Sequence, residues 1–170
     1  KDYLYPNDWV CNFGASHTLE YAFSCYAAAQ MAKAIGKTAA YDTLMQYSYA
    51  YKNLFDPETK YMRPREMDGS FMKDFDPLKG WKGFQEGNAA QYTWYVPHDI
   101  QGLTELMGID LFNERLENTF IESRKTLFGG GKEIDSFSGV EKLYNQGNQP
   151  CLHDAWLFNY SGKPWLTQLY

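Results

Sequence analysis

Apolar residues recur at helical spacing along most of the chain, and no clean period-two alternation competes with them. Leu19, Ala22, Phe23, Tyr26, Ala27 and Ala34 mark a helix over 18–35, and Gly36 suits the position just past its end. Thr38 is placed to cap a second helix over 39–54, with Leu44, Tyr47, Tyr51 and Leu54 on one stripe. Asp56-Pro57 ends it, and the short link between the two helices predicts an antiparallel hairpin.

Over 55–87 the pattern dissolves. Pro57, Pro64 and Pro77, with glycines and charges, leave no room for a helix of ordinary length. A loop of roughly thirty residues is uncommon inside a compact domain and points to function. Helical spacing returns over 88–96, where Pro97 interrupts it. Asp99 can cap 100–107, Gly108 stops that helix, and Asp110 can cap 111–127 with Phe112, Leu116 and Phe120 facing inward. Gly129-Gly130-Gly131 closes it. A polar loop then runs to Pro150, a helix over 152–160 ends at Gly162, and Pro164 takes the first position of a helix beginning at Trp165. The pattern predicts about three helical pairs whose long connections gather at one end, where a site can form. The chain stops at Tyr170, one turn into an uncapped helix, so a segment of a longer all-helical domain is expected. No fixed-period repeat suggests a solenoid.

Composition narrows the function classes. With 16 Lys+Arg against 21 Asp+Glu the net charge is −5, which argues against a binder of phosphate backbones. No apolar run is long enough for a membrane span, and the first residues lack the features of a signal peptide. Tyr and Trp together number 19 against 11 Phe. These rings pair an apolar body with a polar tip, which suits either a half-buried core or the wall of a sugar cleft. Cys11, Cys25 and Cys151 show no metal spacing and read as small hydrophobes. His17, His98 and His153 are also too far apart to form a ligand motif.

Four stretches carry candidate chemistry. Glu86, before Gly87 and near Tyr92, Trp94 and Tyr95, has the setting of a carboxyl raised by desolvation into a general acid, although the residues alone favour a charge that stabilises a helix N-terminus. His98 and Asp99, at the break made by Pro97, suit hydroxyl binding or simple capping. Arg63, with its planar donor fork, is a candidate hydroxyl ligand or a loop salt bridge. The turn 144–150, with Gln146, Asn148 and Gln149, offers oxygen donors of the kind calcium takes, or is a polar turn.

The stretch Glu86-Gly87-Asn88-Ala89-Ala90-Gln91-Tyr92-Thr93-Trp94-Tyr95-Val96-Pro97-His98-Asp99 closely resembles the segment that marks glycoside hydrolase family 92, the exo-acting, calcium-dependent, inverting α-mannosidases. Further stretches follow in that family's order: Ser16-His17-Thr18-Leu19-Glu20-Tyr21-Ala22, Met62-Arg63-Pro64-Arg65, Gly147-Asn148-Gln149-Pro150 and Pro164-Trp165-Leu166-Thr167-Gln168. The resemblance implies that residues 1–170 form about half of an (α/α)6 barrel. It implies Glu86 as general acid, Asn148 and Gln149 beside a calcium ion, and Gln146, His98 and Asp99 as sugar contacts. Trp94, with Arg63, completes the expected substrate set.

The sequence departs from the family pattern at Gln149 (usually Glu), Gln146 (usually His), Leu152-His153 (usually a His pair), Ala90 (usually aromatic) and Ser24-Cys25 (usually an Asp pair). The resemblance places the general base after Tyr170 and a β-sandwich domain before Lys1, so the 170 residues alone are expected to be inactive. It implies a mannose-containing glycan, α-1,2-linked in the family's usual preference, as substrate, and the periplasm or surface of a bacterium as location. Two rival readings are a non-catalytic carbohydrate-binding remnant and another (α/α)6 sugar enzyme.

Overall fold

The computed structural model describes residues 5–7, 12–125 and 138–170. Six α-helices order them: α1 (Gly14–Ala34), α2 (Thr38–Ser48), α3 (Ala89–Tyr92), α4 (Ile100–Met107), α5 (Ile109–Ser123) and α6 (Pro164–Leu169). Three 3-10 segments, Ala50–Asn53, Gln149–Cys151 and Asp154–Asn159, join them. Among the described residues the only strand-like pairing is two isolated antiparallel bridges, Phe55 with Met62 and Arg65 with Phe71. The expected all-α architecture holds. α1 packs along α2, α4 against α5, and α6 against the segment Asp154–Asn159. No described helix is long and apolar enough to cross a membrane.

The departures from the expected elements have local causes. α1 begins at Gly14, earlier than the apolar pattern implies, because a glycine there passes under Pro6, whose carbonyl carbon would lie 2.6 Å from any Cβ. Thr18 therefore sits inside the helix, its hydroxyl donating to the Gly14 carbonyl at 2.7 Å. α2 ends at Ser48, whose hydroxyl returns to the Met45 carbonyl at 2.7 Å, and the chain tightens into 3-10 geometry. The change of period breaks the expected stripe: Tyr51 and Leu54 are buried while Tyr47 is exposed.

α3 is a single turn rather than a helix over 88–96, since Trp94 to Val96 leave helical geometry ahead of Pro97. Asp110 does not cap α5. Gly108, at φ +89°, ends α4 and starts α5, and Asp110 lies in the first turn, where a carboxylate favours the helix dipole. Phe112, Leu116 and Phe120 are buried as expected. Residues 126–137, including Gly129-Gly130-Gly131, and Cys11 lie outside the described set. The segment 152–160 is mostly 3-10 rather than α, and Pro164 does open α6.

The 55–88 connection is ordered by its arginines. Arg63 donates through Nε and Nη2 to the Met72 carbonyl and through Nη1 to Asp56 at 3.0 Å. Arg65 donates to the Gly69 carbonyl and stacks on Phe71 at 3.8 Å. The Met62 amide donates to Thr93 Oγ1 at 2.9 Å, tying the loop to the end of α3. The core gathers Leu19, Tyr51, Leu54, Met62, Trp94, Leu103, Phe112 and Leu157. Large apolar side chains also stay exposed on α1, α2 and the C-terminal elements, among them Met31, Tyr47, Trp156 and Trp165.

One buried carboxyl stands out near the C-terminal end. Asp154 is fully buried, and neither carboxylate oxygen has a hydrogen-bond partner among the described residues. Burial pushes its carboxyl well above the ordinary 3.8. The neighbouring His153 ring is pushed below 6.5 by burial, so the 3.9 Å approach of its Nδ1 to Asp154 is not an ion pair near neutral pH. A folded-state value above the unfolded one means that the folded chain holds the extra proton. The stability linked to that proton is complete below about pH 3.8 and is lost as pH rises through the folded value. Asp154→Asn should therefore gain on wild type as pH rises from 4 to 8, by about 2–4 °C in Tm. A difference that stays flat or shrinks across that range contradicts this account of Asp154.

Candidate active site

α1 has no side-chain cap, and its first amides are satisfied from far along the chain. The Gly83 carbonyl accepts from Ala15 N at 3.1 Å and Ser16 N at 3.2 Å, while Gly83 N donates to the Asn12 carbonyl at 3.1 Å. Gly83 adopts φ +84°, and a Cβ there would meet Pro64 at 2.1 Å, so glycine is required on both counts. Further along the same loop, Gln85 N donates to Ser16 Oγ at 3.0 Å. His17 Nε2 and Gln85 Oε1 lie 3.3 Å apart. Residues 83–85 are thus laid across the start of α1.

Glu86 follows in the left-handed region, at φ +57°, a conformation a glutamate holds only where its surroundings enforce it. The surroundings can be named. Asn148 Nδ2 donates to the Glu86 carbonyl at 2.7 Å, Tyr92 OH donates to the Gln85 carbonyl at 2.9 Å, and Trp81 N donates to the Gly87 carbonyl at 3.1 Å. Gly87 has no room for a side chain, because a Cβ would lie 2.9 Å from both Gln91 and Tyr92. Asn88 Oδ1 caps α3 by accepting from Gln91 N at 3.0 Å. With Asn88 in that role and α3 only one turn long, a dipole-stabilising role for Glu86 has little to act on.

The Asn88 and Gln91 side chains reach across to the segment that carries the polar turn. Asn88 Nδ2 donates to the Val140 and Lys142 carbonyls, and Gln91 Nε2 to those of Gly139 and Lys142, all at 2.8–2.9 Å. Both amides are fully buried. This clamp brings Asn148 and Gln149 against the Glu86 loop.

The result is a cleft of about 450 Å³ whose lining includes His17, Glu20, Glu86, Tyr95, Asn148 and Gln149. Glu86 itself is exposed. The wall expected to desolvate it is only partly present: Tyr92 and Tyr95 border the cleft, whereas Trp94 turns away. Glu20 brings a second carboxylate, accepting from Tyr95 OH at 3.1 Å. Burial and then the Glu20 charge push the Tyr95 phenol up to about 12. Burial, Glu20 and Glu86 push Tyr92 higher still, so both phenols stay protonated donors at neutral pH. Glu20 and His17 were missed as site residues from sequence. Their signal was the Ser16-His17-Thr18-Leu19-Glu20 stretch, in which they stand three apart on the first turns of α1.

The other expected site residues lie elsewhere. Trp94 is 1 % exposed and packs edge-on against Phe112 at 5.3 Å, so it offers no face to a sugar here. Arg63 directs its donors to Met72 and Asp56 in the loop. Asp99 caps α4, accepting from Gly102 N at 3.0 Å and from Tyr51 OH at 2.6 Å. His98 lies among Phe23, Tyr26 and Tyr51 and donates through Nε2 to the Ser48 carbonyl at 2.8 Å; burial holds it below 6.5. Gln146 is exposed and accepts a hydrogen bond from Tyr144 OH, beside a separate apolar recess lined by Phe120 and Tyr170.

The donors here do not by themselves make a calcium site. Asn148 spends its amide nitrogen on Glu86 and keeps only a neutral oxygen, Gln149 adds another, and no group of three or more His, Cys, Asp or Glu among the described residues is arranged to hold a metal.

Comparison with known proteins accounts for this arrangement. The model of the glycosyl hydrolase family 92 catalytic domain matches residues 2–170. No curated protein matches the chain. Among solved structures, the family GH92 α-mannosidase BT3965 from Bacteroides thetaiotaomicron aligns with TM-score 0.83 and 38% identity, over 98% of this chain and 20% of that one. The family GH92 inverting mannosidase BT2199 from the same organism aligns with TM-score 0.83 and 31% identity, over 99% of this chain and 23% of that one. The GH92 family glycosyl hydrolase ccman5, at 23% identity and TM-score 0.73 over 98% of this chain and 21% of that one, shares the fold. The chain therefore spans about a fifth of the length of these relatives, and its helices are part of their α/α barrel. With the family model running almost from end to end of it, the chain belongs to glycosyl hydrolase family 92.

Proposed function

We propose that this chain carries the acid half of an exo-α-mannosidase active site, releasing terminal mannose from α-linked glycans with inversion. The observation that supports it most is Glu86: an exposed carboxyl on a left-handed residue, pinned from both sides, at the lip of a cleft with two protonated phenols. In this reading Glu86 protonates the glycosidic oxygen as the bond to the leaving group breaks. Glu20, Tyr95 and Gln149 line the same cleft and accept from or donate to mannose hydroxyls.

Inversion needs a second carboxylate about 6.5–9.5 Å from the acid, with a water between them. That base is assigned to the longer protein, outside these 170 residues. Calcium belongs to the same proposal only with carboxylates brought from elsewhere, since Asn148 and Gln149 supply neutral oxygens alone. An α-1,2 linkage and a site of action at the bacterial surface or in the periplasm complete the reading. The neutral Gln149 also suits a second reading, a carbohydrate-binding remnant without turnover, and the Glu86 variant separates the two.

In the full-length protein, Glu86→Gln should lower kcat on unactivated α-mannosides by about 10²–10⁴-fold, and much less on substrates whose leaving group needs no proton. Equal loss on both substrate types contradicts the acid assignment, and a wild type that binds mannosides without turnover favours the remnant. Asn148→Ala, which frees the Glu86 carbonyl, should cut kcat about tenfold with KM little changed. A change confined to KM or to thermal stability contradicts that positioning role.

A further inference from the structure

The turn that clasps the Glu86 loop has two anchors on the 86–94 stretch, and a buried carboxyl lies behind the second. Asn148 Nδ2 donates to the Glu86 carbonyl at 2.7 Å, and further along His153 Nε2 donates to the Trp94 carbonyl at 2.8 Å. The backbone around these anchors is bonded to itself. Asn148 N donates to the Asn145 carbonyl, Cys151 N to that of Asn148 and Leu152 N to that of Gln149, at 3.0–3.2 Å. The His153 ring stands edge-on to Tyr95 at 5.9 Å, and Tyr95 OH donates to Glu20 in the Glu86 cleft. Residues 145–154 are thus one tied piece that carries both the clasp on Glu86 and the backing of Tyr95.

Asp154 ends that piece, fully buried and without a hydrogen-bond partner on either oxygen among the described residues. A carbonyl only accepts, so the bond to Trp94 fixes the proton of neutral His153 on Nε2 and leaves Nδ1 a bare acceptor. That acceptor lies 3.9 Å from Asp154 Oδ1. An ionised Asp154 would set a negative oxygen against a lone pair inside the fold, whereas a protonated one presents an O–H that the lone pair can take. The other titratable groups around it are Cys151 and Tyr144 on the preceding segment. Burial and Asp154 itself keep both protonated, with the Tyr144 phenol pushed up to about 12. Neither brings a positive charge, and among the described residues no Lys or Arg of α5 or α6 pairs with Asp154. Burial holds its carboxyl well above the ordinary 3.8.

We infer that Asp154 is a pH-sensitive latch on the Glu86 loop: while its carboxyl keeps its proton, residues 145–154 stay seated on Glu86 and Trp94, and when that proton leaves for solvent the piece lifts and the cleft loses its working geometry. The inference rests on Glu86 being the general acid. The direction follows from the burial: the seated form holds the proton, so it prevails on the acid side and is lost as pH rises. The latch sets an alkaline limit on turnover that is separate from the loss of the proton on Glu86, because it governs where Glu86 stands. The Asn148 clasp and the His153 anchor are the path from Asp154 to the cleft.

The test uses the full-length protein on a dinitrophenyl α-mannoside, whose leaving group needs no proton, so the protonation of Glu86 drops out of the rate. As pH rises into the alkaline range the wild type should lose kcat/KM by about tenfold, reversibly, and Asp154→Asn should hold its rate about one pH unit further. Asp154→Leu, with no proton to lose and no hydrogen bond to seek, should do the same and serves if the amide does not fold. At neutral pH the variants keep the wild-type rate. Native hydrogen exchange at matched pH should show peptides 83–87 and 145–154 opening together in the wild type and staying protected in the variants. An alkaline loss that wild type and variants share overturns the latch, as does exchange that rises through the whole protein at once. If Glu86→Gln shows that the acid assignment has failed, the exchange comparison still decides: opening of 145–154 in the wild type alone supports the latch, and equal opening in all three proteins overturns it.

Discussion

The Gly83 carbonyl, accepting from the first free amides of α1, is the contact on which the rest of this site depends. A helix start must find partners for its amides, and here the partner is a loop rather than a Ser or Asp beside the helix. That choice sets where the loop runs. Once Gly83 is seated, Ser16 receives Gln85, and Glu86 is delivered to the cleft in a conformation it would not adopt alone. Asn148 closes the arrangement from the opposite side. Side chains of Ser16, Tyr92 and Asn148 hold the loop through its backbone amides and carbonyls, and the Glu86 side chain is left at the cleft.

Seen this way, most of the 86–99 segment serves to hold rather than to react. Asn88 and Gln91 clamp residues 139–142, Thr93 anchors the 55–88 loop, Trp94 fills the core, and Asp99 caps α4. Glu86 stands out as the residue presented to the cleft, with Tyr92 and Tyr95 beside it. A motif of this length is specific because so many of its members have a structural partner, each lost at a cost of the order of a buried hydrogen bond, about 1–3 kcal/mol.

What was legible in the sequence follows from the range of each interaction. Helical spacing, Gly36, Asp99 and Pro164 act within one turn, and the helices they marked at 18–35, 100–107 and from Pro164 are present, whereas the spacing over 88–96 and 152–160 gave one turn and a 3-10 segment. Gly14 is a near neighbour whose role could not be read, because the need for it comes from Pro6 crossing above it. Trp94 and Arg63 were drawn into the expected site by their type and their neighbours in sequence. The direction of a side chain depends on packing, and packing turned Trp94 to Phe112 and Arg63 to Met72. Glu20 and His17 enter the cleft through the docking of two segments far apart in the chain: the Ser16-His17-Thr18-Leu19-Glu20 stretch puts them near each other on one helix, and what that helix meets is set by packing.

The most direct measurement is a crystal structure of the full-length protein with a non-hydrolysable analogue of a terminal α-mannosyl disaccharide. The account predicts the Glu86 carboxyl within about 2.6–3.2 Å of the atom that replaces the glycosidic oxygen, with Glu86 still left-handed and Asn148 still on its carbonyl. A bridging atom facing another carboxylate, with Glu86 turned to solvent, would contradict it.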